Sequence, residues 1–509
     1  MEAIKSIRAF TKASGIRVTT RGISEKLLVP FLSCANLTVA ADRALASHMK
    51  MRTEFPELLK KDESAVLTDV QTGYMQFYDE TAVNPFMPIG AAGSWVVTHT
   101  GAVVYSTDGY GMLGFGHSPA EVMSALTEPH VNANVMTASL AQKRFAAALK
   151  KEVGHTRGGV FPYESFACLN SGSESVTLAM RISDAHAKLA TGPGTPHEGR
   201  RSCIIAIKGG FHGRTERPAH ASDSSRSAYK HLRSFDNKDD EFPTFTVEQN
   251  SLESLHAAFA EANARGYHPE IFLMEPVMGE GNPGKAVSRE FYDTVRRVTR
   301  ENDCMLLVDS IQAGLRTRGV LSVLDFPGFT DAEAPDFESF SKSLNAGTYP
   351  LSVLVMGPGA SKYFVKGLYG NTMTTNPRGL SVGAAVLGLV TPELRKNIVE
   401  SGAYLKHKLD ELRSVHGDVI ESTSGSGMLL ASHLKPRWKA YGHHESLEVI
   451  ARRNGLGVIH GGQNALRFTP MFAMTEKEAD LVVAIVDESI VEMRALEAQG
   501  VYNTPKQQK

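Results

Sequence analysis

The sequence predicts an α/β protein whose large domain contains a mostly parallel sheet with helices on both faces. The first observation is that, from about residue 165, short apolar runs alternate with longer segments of helical period. The second is that these runs are apolar almost throughout, which is typical of strands buried on both faces. The predicted strands are Cys203-Ile-Ile-Ala-Ile, Ile271-Phe-Leu-Met, Cys304-Met-Leu-Leu-Val and Leu351-Ser-Val-Leu-Val.

A helix is predicted between the second and third of these strands. Its N-terminal cap is Ser288, and Phe291, Val295 and Val298 recur on one helical face. Because strand, helix and strand follow one another in this order, the neighbouring strands are expected to be parallel. Ligands of such open sheets bind at the carboxyl ends of the strands, so residues that directly follow a strand are the first candidates for a site.

The two flanks of this region follow a different pattern. After about residue 385, long helical segments such as residues 398–415 dominate, and a final α/β patch lies around Gly457 and Leu466. This pattern predicts a smaller α/β domain assembled from the N- and C-terminal parts. The predicted limits are an extension at residues 1–60, the small domain at residues 61–120 and 386–509, and the large domain at residues 121–385.

The composition of the 509-residue chain excludes several classes of protein. With 54 basic against 55 acidic side chains the formal charge is −1, so no global field favours nucleic acid. No apolar run reaches the roughly 18 residues of a membrane-spanning helix, so a membrane protein is not expected. The four cysteines show no C-x-x-C spacing, which favours a reducing compartment, and we predict the cytoplasm. The basic residues within residues 1–30 leave a mitochondrial transit peptide as the alternative.

Two charged residues follow predicted strands or lie close to them. Asp309 comes directly after the Cys304 run, so its carboxylate is expected at the carboxyl end of a strand, either as a catalytic group or as the cap of a turn. Lys342 stands among small polar residues ahead of the Leu351 strand. By itself, such a lysine is typical of solvated surface.

Two glycine-containing segments could bind an anion or a planar ring. Asn170-Ser-Gly-Ser-Glu-Ser opens a helical stretch, so it predicts either a phosphate site at a helix N-terminus or a simple N-cap. Gly209-Gly-Phe-His-Gly-Arg-Thr follows the Cys203 strand. Its Phe211 could stack on a planar cofactor or pack into the core beside a turn.

The sequence predicts no metal site and no nucleotide-binding loop. His443 and His444 have only Glu445 and Glu448 nearby and no clear third ligand. Gly279-Glu-Gly-Asn-Pro-Gly-Lys-Ala formally fits a glycine-rich phosphate loop. However, its proline removes a backbone N–H and its final alanine lacks the hydroxyl that would hold magnesium.

The order of six motifs over roughly residues 90–490 resembles that of the class III, fold-type I pyridoxal-phosphate aminotransferases. This group contains the ornithine, lysine-6- and 4-aminobutyrate aminotransferases. The motifs are Asn170-Ser-Gly-Ser-Glu, Gly210-Phe-His-Gly-Arg-Thr, Glu275-Pro-Val-Met-Gly-Glu-Gly, Val308-Asp-Ser-Ile-Gln-Ala-Gly, Pro335-Asp-Phe-Glu-Ser-Phe-Ser-Lys and Gly370-Asn-Thr-Met-Thr-Thr-Asn-Pro.

The resemblance implies pyridoxal 5'-phosphate as the cofactor and assigns its binding residues. Lys342 would form the Schiff base with the cofactor aldehyde and later move a proton, and Asp309 would keep the pyridine nitrogen protonated. Phe211 would stack on one face of the ring, Ile311 would cover the other, and Gln312 would contact the phenolic oxygen. The remaining implied cofactor residues are Ser171, Gly172, Ser173, His212 and Thr372, the last of which would come from the neighbouring subunit of a homodimer.

The same resemblance implies how substrates would bind. Tyr110 and Arg214 would bind the distal carboxylate of an ω-amino substrate. Arg467 would take the α-carboxylate of glutamate or 2-oxoglutarate, because an arginine fork suits a carboxylate. Glu280 would pair with Arg467 while the ω-amino substrate is bound.

The chain also departs from the family pattern near the cofactor aspartate. Ser310 replaces an acidic residue, Ala313 a common threonine, and Tyr369 a frequent histidine. Arg316 and Arg318 add two positive charges, which would serve an additional carboxylate or form surface ion pairs. We favour surface pairing.

The expected function is transfer of an amino group from an ω-amino acid or related amine to a 2-oxo acid, either 2-oxoglutarate or pyruvate. An aminomutase or a decarboxylating transaminase on the same fold is the alternative. A non-catalytic homologue is disfavoured by the presence of Lys342.

Overall fold

The computed structural model describes residues 1–131, 135–235 and 243–500, and the chain forms two compact units. The first unit consists of Met1–Pro119 together with the chain from Glu400 onward, and the second is Ala120–Val399. The sequence places domain limits after residues 120 and 385, whereas the structure divides the chain after Pro119 and after Val399.

The helices and strands of the described residues have the following bounds. The helices are α1 (Glu2–Ser14), α2 (Glu25–Leu28), α3 (Ala35–Glu54), α4 (Glu63–Val70), α5 (Ala120–Thr127), α6 (Leu140–Glu152), α7 (Gly172–Ala190), α8 (Glu216–Ala221), α9 (Leu252–Ala264), α10 (Arg289–Glu301), α11 (Pro358–Ser361), α12 (Pro377–Gly388), α13 (Pro392–Val415), α14 (Leu447–Arg453) and α15 (Glu476–Ala498). The strands are β1 (Pro88–Ala92), β2 (Trp95–Thr98), β3 (Val103–Ser106), β4 (Ser165–Leu169), β5 (Arg201–Ile207), β6 (Thr244–Val247), β7 (Tyr267–Met274), β8 (Met305–Asp309), β9 (Phe337–Phe340), β10 (Ser352–Met356), β11 (Ile420–Ser426), β12 (Leu429–Leu434), β13 (Leu456–Gly457), β14 (Ile459–Gly461) and β15 (Ala465–Phe468).

The second unit contains a seven-stranded sheet in the order β4-β10-β9-β8-β7-β5-β6. Only β10 runs antiparallel to its neighbours, so the prediction of a mostly parallel sheet is confirmed. The four strands predicted from apolar runs are β5, β7, β8 and β10. They lie in the core, where Ile271, Phe272 and Leu273 have no exposed surface, as expected for strands covered on both faces.

The predicted helix after Ser288 is also present, as α10. The Ser288 hydroxyl accepts a hydrogen bond from the backbone N–H of Phe291 at 3.1 Å, so it caps the helix as the sequence indicated. Phe291, Val295 and Val298 are buried, and burial of this apolar face holds α10 in place.

The first unit contains two four-stranded sheets, in the orders β1-β2-β3-β13 and β11-β12-β15-β14. Helix α3 packs against β1 and β2, and its Ala40, Ala41 and Ala44 have no exposed surface. Residues 1–60, which the sequence predicts as an extension, therefore supply a helix that covers a sheet of this unit. Within the described ranges, no helix is long and apolar enough to cross a membrane.

The six parallel strands of the large sheet all end at one edge. Strand β4 leads there into the N-terminus of α7, β7 leads into Glu275, β8 ends at Asp309, and β9 ends two residues before Lys342. Since the ligand-binding edge of an open α/β sheet is the one at the carboxyl ends of its strands, this edge is where a site is expected.

Candidate active site

Asp309 and Lys342 lie at the same edge of the sheet on adjacent strands. Strands β8 and β9 pair in parallel, with Asp309 opposite Ser339, which precedes Lys342 by three residues. Nζ of Lys342 donates a hydrogen bond to Oε1 of Gln312, which follows Asp309 by three residues. The structure thus places the carboxylate of Asp309 and the amine of Lys342, which are 33 residues apart in the sequence, at the same edge of the sheet.

Asp309 is held by two hydrogen bonds in a buried position. Its side chain is almost entirely covered, with Oδ2 2.8 Å from Nδ1 of His212 and Oδ1 accepting the backbone N–H of Ile311 at 3.1 Å. Hydrogen bonds to an ionised carboxylate are stronger than neutral ones, so these two partners determine the direction of the carboxylate. His212 therefore acts on this site through Asp309.

Lys342 has an uncommon backbone conformation. Its φ is +47°, in the left-handed region that non-glycine residues avoid. Lys342 begins a short 3₁₀ turn that ends at Asn345, and the turn is tied down by the side chains of Ser341 and Asn345, which both donate to the carbonyl oxygen of Leu351. Such conformations cost about 1–3 kcal/mol and persist where the surrounding structure imposes them, often at functional sites.

The N-terminus of α7 forms an anion-binding end beside these residues. Ser171 is the N-cap, and its hydroxyl accepts the backbone N–H of Glu174 at 3.3 Å. A Cβ on Gly172 would lie 2.6 Å from Cδ1 of Ile311, so glycine allows the two segments to approach closely without displacing that side chain. The 19-residue helix presents its positive dipole end and free N–H groups at this point, which is the arrangement that binds phosphate.

The loop after β5 packs against the same helix end. The hydroxyl of Ser173 accepts the backbone N–H of Arg214 at 3.3 Å, and a Cβ on Gly213 would lie only 2.3 Å from that hydroxyl. Phe211 is only partly buried, so its ring does not lie in the core, and the guanidinium of Arg214 is 5.3 Å from its centroid. An aromatic face is thus available beside the helix N-terminus.

Glu275 is a member of this site to which the sequence analysis gave no role. Its carboxylate accepts the backbone N–H groups of Phe211 at 3.1 Å and Gly279 at 2.8 Å, so it joins the aromatic loop to the turn after β7. Burial, with a smaller contribution from the charge of Asp309, raises the pKa of Glu275 to about 7. The sequence contains the same signal for Glu275 as for Asp309, because each carboxylate directly follows an apolar strand.

The residues at this edge match the chemistry of pyridoxal phosphate. They provide a helix N-terminus for the phosphate, an aromatic face for the ring, a buried carboxylate for the ring nitrogen and an amine for the aldehyde. In addition, Nε2 of Gln312 is buried and has no hydrogen-bond partner among the described residues. A buried donor of this kind is expected where a ligand oxygen supplies the acceptor.

The remaining predicted site residues are Thr372 and Glu280 in the second unit and Tyr110 and Arg467 in the first. Thr372 is exposed and lines a cavity of about 730 Å³ in the second unit. Glu280 is partly buried in the same unit. Tyr110 and Arg467 belong to the first unit, where Arg467 is buried in β15 with its guanidinium 5.7 Å from the centroid of the Tyr110 ring.

The departures from the family pattern have structural counterparts. The hydroxyl of Ser310 donates to Oε1 of the buried Glu338 at 2.6 Å. The Tyr369 hydroxyl donates to Glu174 at 3.3 Å, close to the helix end. The preference for surface pairing of both extra arginines is wrong for Arg316, which has no exposed surface, whereas Arg318 is exposed. Arg316 lies in the covered turn after β8, and its burial could not be recognised from the sequence because arginine is usually solvated.

Comparison with known proteins agrees with this geometry. The sequence profile of the family described as Aminotransferase class-III matches residues 78–490. An acetylornithine aminotransferase of Xanthomonas axonopodis pv. citri is 27% identical over 373 residues, which cover 73% of this chain and 84% of the relative. A [LysW]-aminoadipate semialdehyde transaminase of Deinococcus radiodurans is 29% identical over 377 residues, which cover 74% and 79%.

Solved structures show the same fold. The crystal structure of the ornithine aminotransferase from Toxoplasma gondii ME49 matches with a TM-score of 0.71 and 20% identity, over 88% of this chain and 99% of that one. The expected fold-type I architecture is thereby confirmed, as is membership of the family, whose enzymes use pyridoxal phosphate. The chain belongs to the class-III aminotransferase family and is a pyridoxal-phosphate-dependent enzyme that transfers amino groups.

Proposed function

We propose that the enzyme transfers the terminal amino group of an ω-amino acid or a related amine to a 2-oxo acid, either 2-oxoglutarate or pyruvate. The observation that carries the proposal is the meeting of Asp309, Gln312 and Lys342 at the carboxyl edge of β8 and β9. The relatives named for acetylornithine and [LysW]-aminoadipate semialdehyde support a donor or product with a side-chain nitrogen or aldehyde.

The roles of the residues follow from their contacts. When bound, pyridoxal phosphate supplies an aldehyde that reacts with amines and a protonated ring that withdraws electrons. Asp309, oriented by His212 and Ile311, keeps a proton on the ring nitrogen. Gln312 accepts a hydrogen bond from Nζ of Lys342, and its amide N–H would donate to the phenolic oxygen of the bound cofactor. Lys342 moves the proton from the amino-bearing carbon of the substrate.

Substrate specificity is assigned to arginine side chains. We assign Arg467 to the α-carboxylate of the oxo acid, because a buried guanidinium beside the ring of Tyr110 provides a rigid fork in an apolar setting. Arg214, an exposed residue that lies over the Phe211 ring, is assigned with Tyr110 to the distal carboxylate of the donor. Glu280 is assigned as the residue that pairs with Arg467 when the donor is bound.

The central test replaces Lys342. The Lys342→Ala variant should lose the visible absorbance band of the bound cofactor and all turnover, whereas Lys366→Ala, which removes an exposed lysine of the same unit, should keep both. Unchanged absorbance and turnover in Lys342→Ala would refute the assignment.

The donor is tested by mixing the holoenzyme with single amines and recording the loss of the cofactor band. An ω-amino acid should bleach the band, and 2-oxoglutarate or pyruvate should restore it. Release of carbon dioxide, or turnover without an oxo-acid acceptor, would overturn transamination in favour of a decarboxylating transaminase or an aminomutase.

The enzyme is further proposed to be a homodimer in which Thr372 contacts the phosphate in the partner's site. Several large apolar side chains around Thr372 are exposed, and contiguous apolar surface marks protein interfaces. They include Met136 at 85%, Val135 at 59% and Met373 at 46%. Asn371 donates to Glu174 at 2.5 Å, so the segment that carries Thr372 lies beside the N-terminus of α7 in its own chain, and the test must separate contact with that chain's phosphate from contact with the partner's.

A mixture of variants tests this shared site. If Thr372 serves the partner, a heterodimer of Lys342→Ala and Thr372→Ala chains contains one site with both residues intact. Unfolding and refolding the two variants together should then restore sites with wild-type cofactor affinity. If Thr372 serves its own chain, no site in the mixture is intact and nothing is restored. A fully active monomer in sedimentation would overturn the dimer as well.

The compartment is proposed to be the cytoplasm, since Cys34, Cys168, Cys203 and Cys304 are all free thiols. A fluorescent fusion at the C-terminus of the chain should remain diffuse in the cytosol. Accumulation in mitochondria would support the alternative drawn from the basic N-terminal residues.

A further inference from the structure

Two histidines and an aspartate converge at the edge of the large sheet opposite the cofactor. His186 lies near the C-terminal end of α7, His268 is the second residue of β7, and Asp303 lies between α10 and β8. One ring nitrogen of each histidine and one carboxylate oxygen of Asp303 all lie within 4.8 Å of one another. We call these three residues the His-His-Asp cluster.

Three ring nitrogens of this cluster have no hydrogen-bond partner within the part of the chain that the structure describes. His268 has no exposed surface, and neither of its ring nitrogens has a partner among the described residues. Nδ1 of the buried His186 also has none, while its Nε2 lies 3.2 Å from Oδ1 of Asp303. A buried polar group without a partner costs about 1–3 kcal/mol, so a bound species that contacts a ring nitrogen of His268 would stabilise the folded protein.

The surroundings suit a cation. The carboxylate of Asp303 supplies a negative charge within the cluster, with its Oδ1 3.2 Å from Nε2 of His186. His186 lies in the last turns of α7, where the helix dipole favours positive charge. The positive charge of Arg200 lies near His268 and opposes cation binding. Its guanidinium donates a hydrogen bond to Oδ1 of Asn263 at 2.8 Å.

The local backbone also holds the carboxylate in place. Asp303 has a φ of +52°, a left-handed conformation that Asp tolerates better than most residues. The ring of His197 stacks on that of His268 with centroids 4.6 Å apart, which limits the rotation of the buried imidazole.

We propose that the His-His-Asp cluster binds a divalent transition-metal cation, Zn²⁺, through two imidazole nitrogens and one carboxylate oxygen, with water as the fourth ligand. This ligand set suits zinc, which binds nitrogen and carboxylate oxygen at about 2.0–2.2 Å in tetrahedral geometry. Such bonds separate the ligand atoms by roughly 3.3 Å. The His186 and Asp303 atoms, 3.2 Å apart, already have this spacing, and small side-chain rotations would bring in the third.

The proposed site is distinct from the cofactor site. His186 follows Gly172 by 14 residues along α7, which corresponds to about 21 Å at 1.5 Å per residue. A metal ion here would connect α7, β7 and the turn before β8. The sequence predicts no metal site here, because the three ligands are far apart along the chain and show no metal-binding spacing.

Zinc chloride is titrated calorimetrically into chelator-treated holoenzyme to test the site. The wild type should bind one Zn²⁺ per chain at this site. Asp303→Asn and His268→Gln should each weaken binding at least tenfold. The matched control, His443→Gln with His444→Gln, removes the adjacent histidine pair of the sequence and should leave that affinity unchanged.

Two outcomes would overturn the proposal: unchanged zinc affinity in the Asp303→Asn variant, or loss of the site in the His443 and His444 control. Asp303 is exposed, so its variant should retain the wild-type cofactor absorbance and melting temperature without zinc. This keeps the test decisive even if the buried His268→Gln change impairs folding. As a second readout, Co²⁺ should give the intense visible bands of a tetrahedral site in the wild type and not in Asp303→Asn.

Discussion

The Glu275→Gln substitution should change how stability depends on pH, in a direction that follows from the structure. Glu275 is 3% exposed, and its two carboxylate oxygens accept the backbone N–H groups of Phe211 and Gly279. Glutamine keeps the shape and one acceptor oxygen but carries no charge. The variant therefore separates the cost of burying this carboxylate from the benefit of its hydrogen bonds.

The magnitude follows from the pKa of Glu275, which burial raises from its ordinary value of 4.5 to about 7. Between these values the folded protein holds a proton that the unfolded chain has released, so the free energy of unfolding falls as the pH rises. The full difference is worth about 3 kcal/mol, of which about 2.5 kcal/mol falls between pH 5 and pH 8. Against this, the variant loses one hydrogen bond, at a cost of about 1 kcal/mol.

We therefore expect the variant to be about as stable as the wild type at pH 5 and more stable by about 2 kcal/mol at pH 8. The assay is native-state hydrogen exchange of the amides in β7 and β8 of cofactor-free protein, compared at equal pH so that intrinsic exchange rates cancel. Glu290→Gln removes an exposed carboxylate of α10 and should show no such trend. A stability difference between Glu275→Gln and the wild type that stays constant from pH 5 to pH 8 would refute the reasoning.

Three further predictions follow from the same geometry. Gly213→Ala should weaken pyridoxal-phosphate binding at least tenfold in a spectroscopic titration, because the φ of Gly213 is +115° and an added Cβ would lie 2.3 Å from the Ser173 hydroxyl. The control Gly194→Ala, at a residue with φ +78° in open space, should leave the affinity unchanged. Gly90→Ala should destabilise the first unit by about 1–3 kcal/mol, seen as a lower melting temperature, because its Cβ would lie 2.3 Å from backbone atoms of α3; an unaltered melting temperature would contradict the packing. Asp309→Asn should bind the cofactor but lower kcat by about 100-fold or more, because an amide does not stabilise the protonated ring nitrogen; wild-type kcat would remove Asp309 from the mechanism.

The elements that the sequence predicts well are those whose structure depends on nearby residues. The apolar runs at Ile271 and Cys304 become β7 and β8 because an uninterrupted apolar segment is stable only where both faces are covered. Ser288 caps α10 through a hydrogen bond to an N–H only three residues away. Asp309 could be singled out because its position depends only on where one strand ends.

Contacts between residues that are far apart in the sequence could not be predicted in the same way. The motif around Glu275 does not reveal its role, since its partner Phe211 comes from a different loop of the chain. Arginine side chains are usually solvated, so the sequence predicts Arg316 at the surface. In the structure the turn after β8 is covered and Arg316 is buried.

The amino-acid sequence by itself determined the class of fold, the strands of the large sheet that form from apolar runs, and the residues that stand at the ends of those strands. Hydrophobic period and capping are local properties, so they can be read along the chain. The tertiary structure alone decided which of those ends meet: Gln312 with Lys342, His212 with Asp309 and, at the opposite edge, His186 with Asp303. Strand order in the sheet and the packing of helices against it select these neighbours, and neither follows from spacing in the sequence.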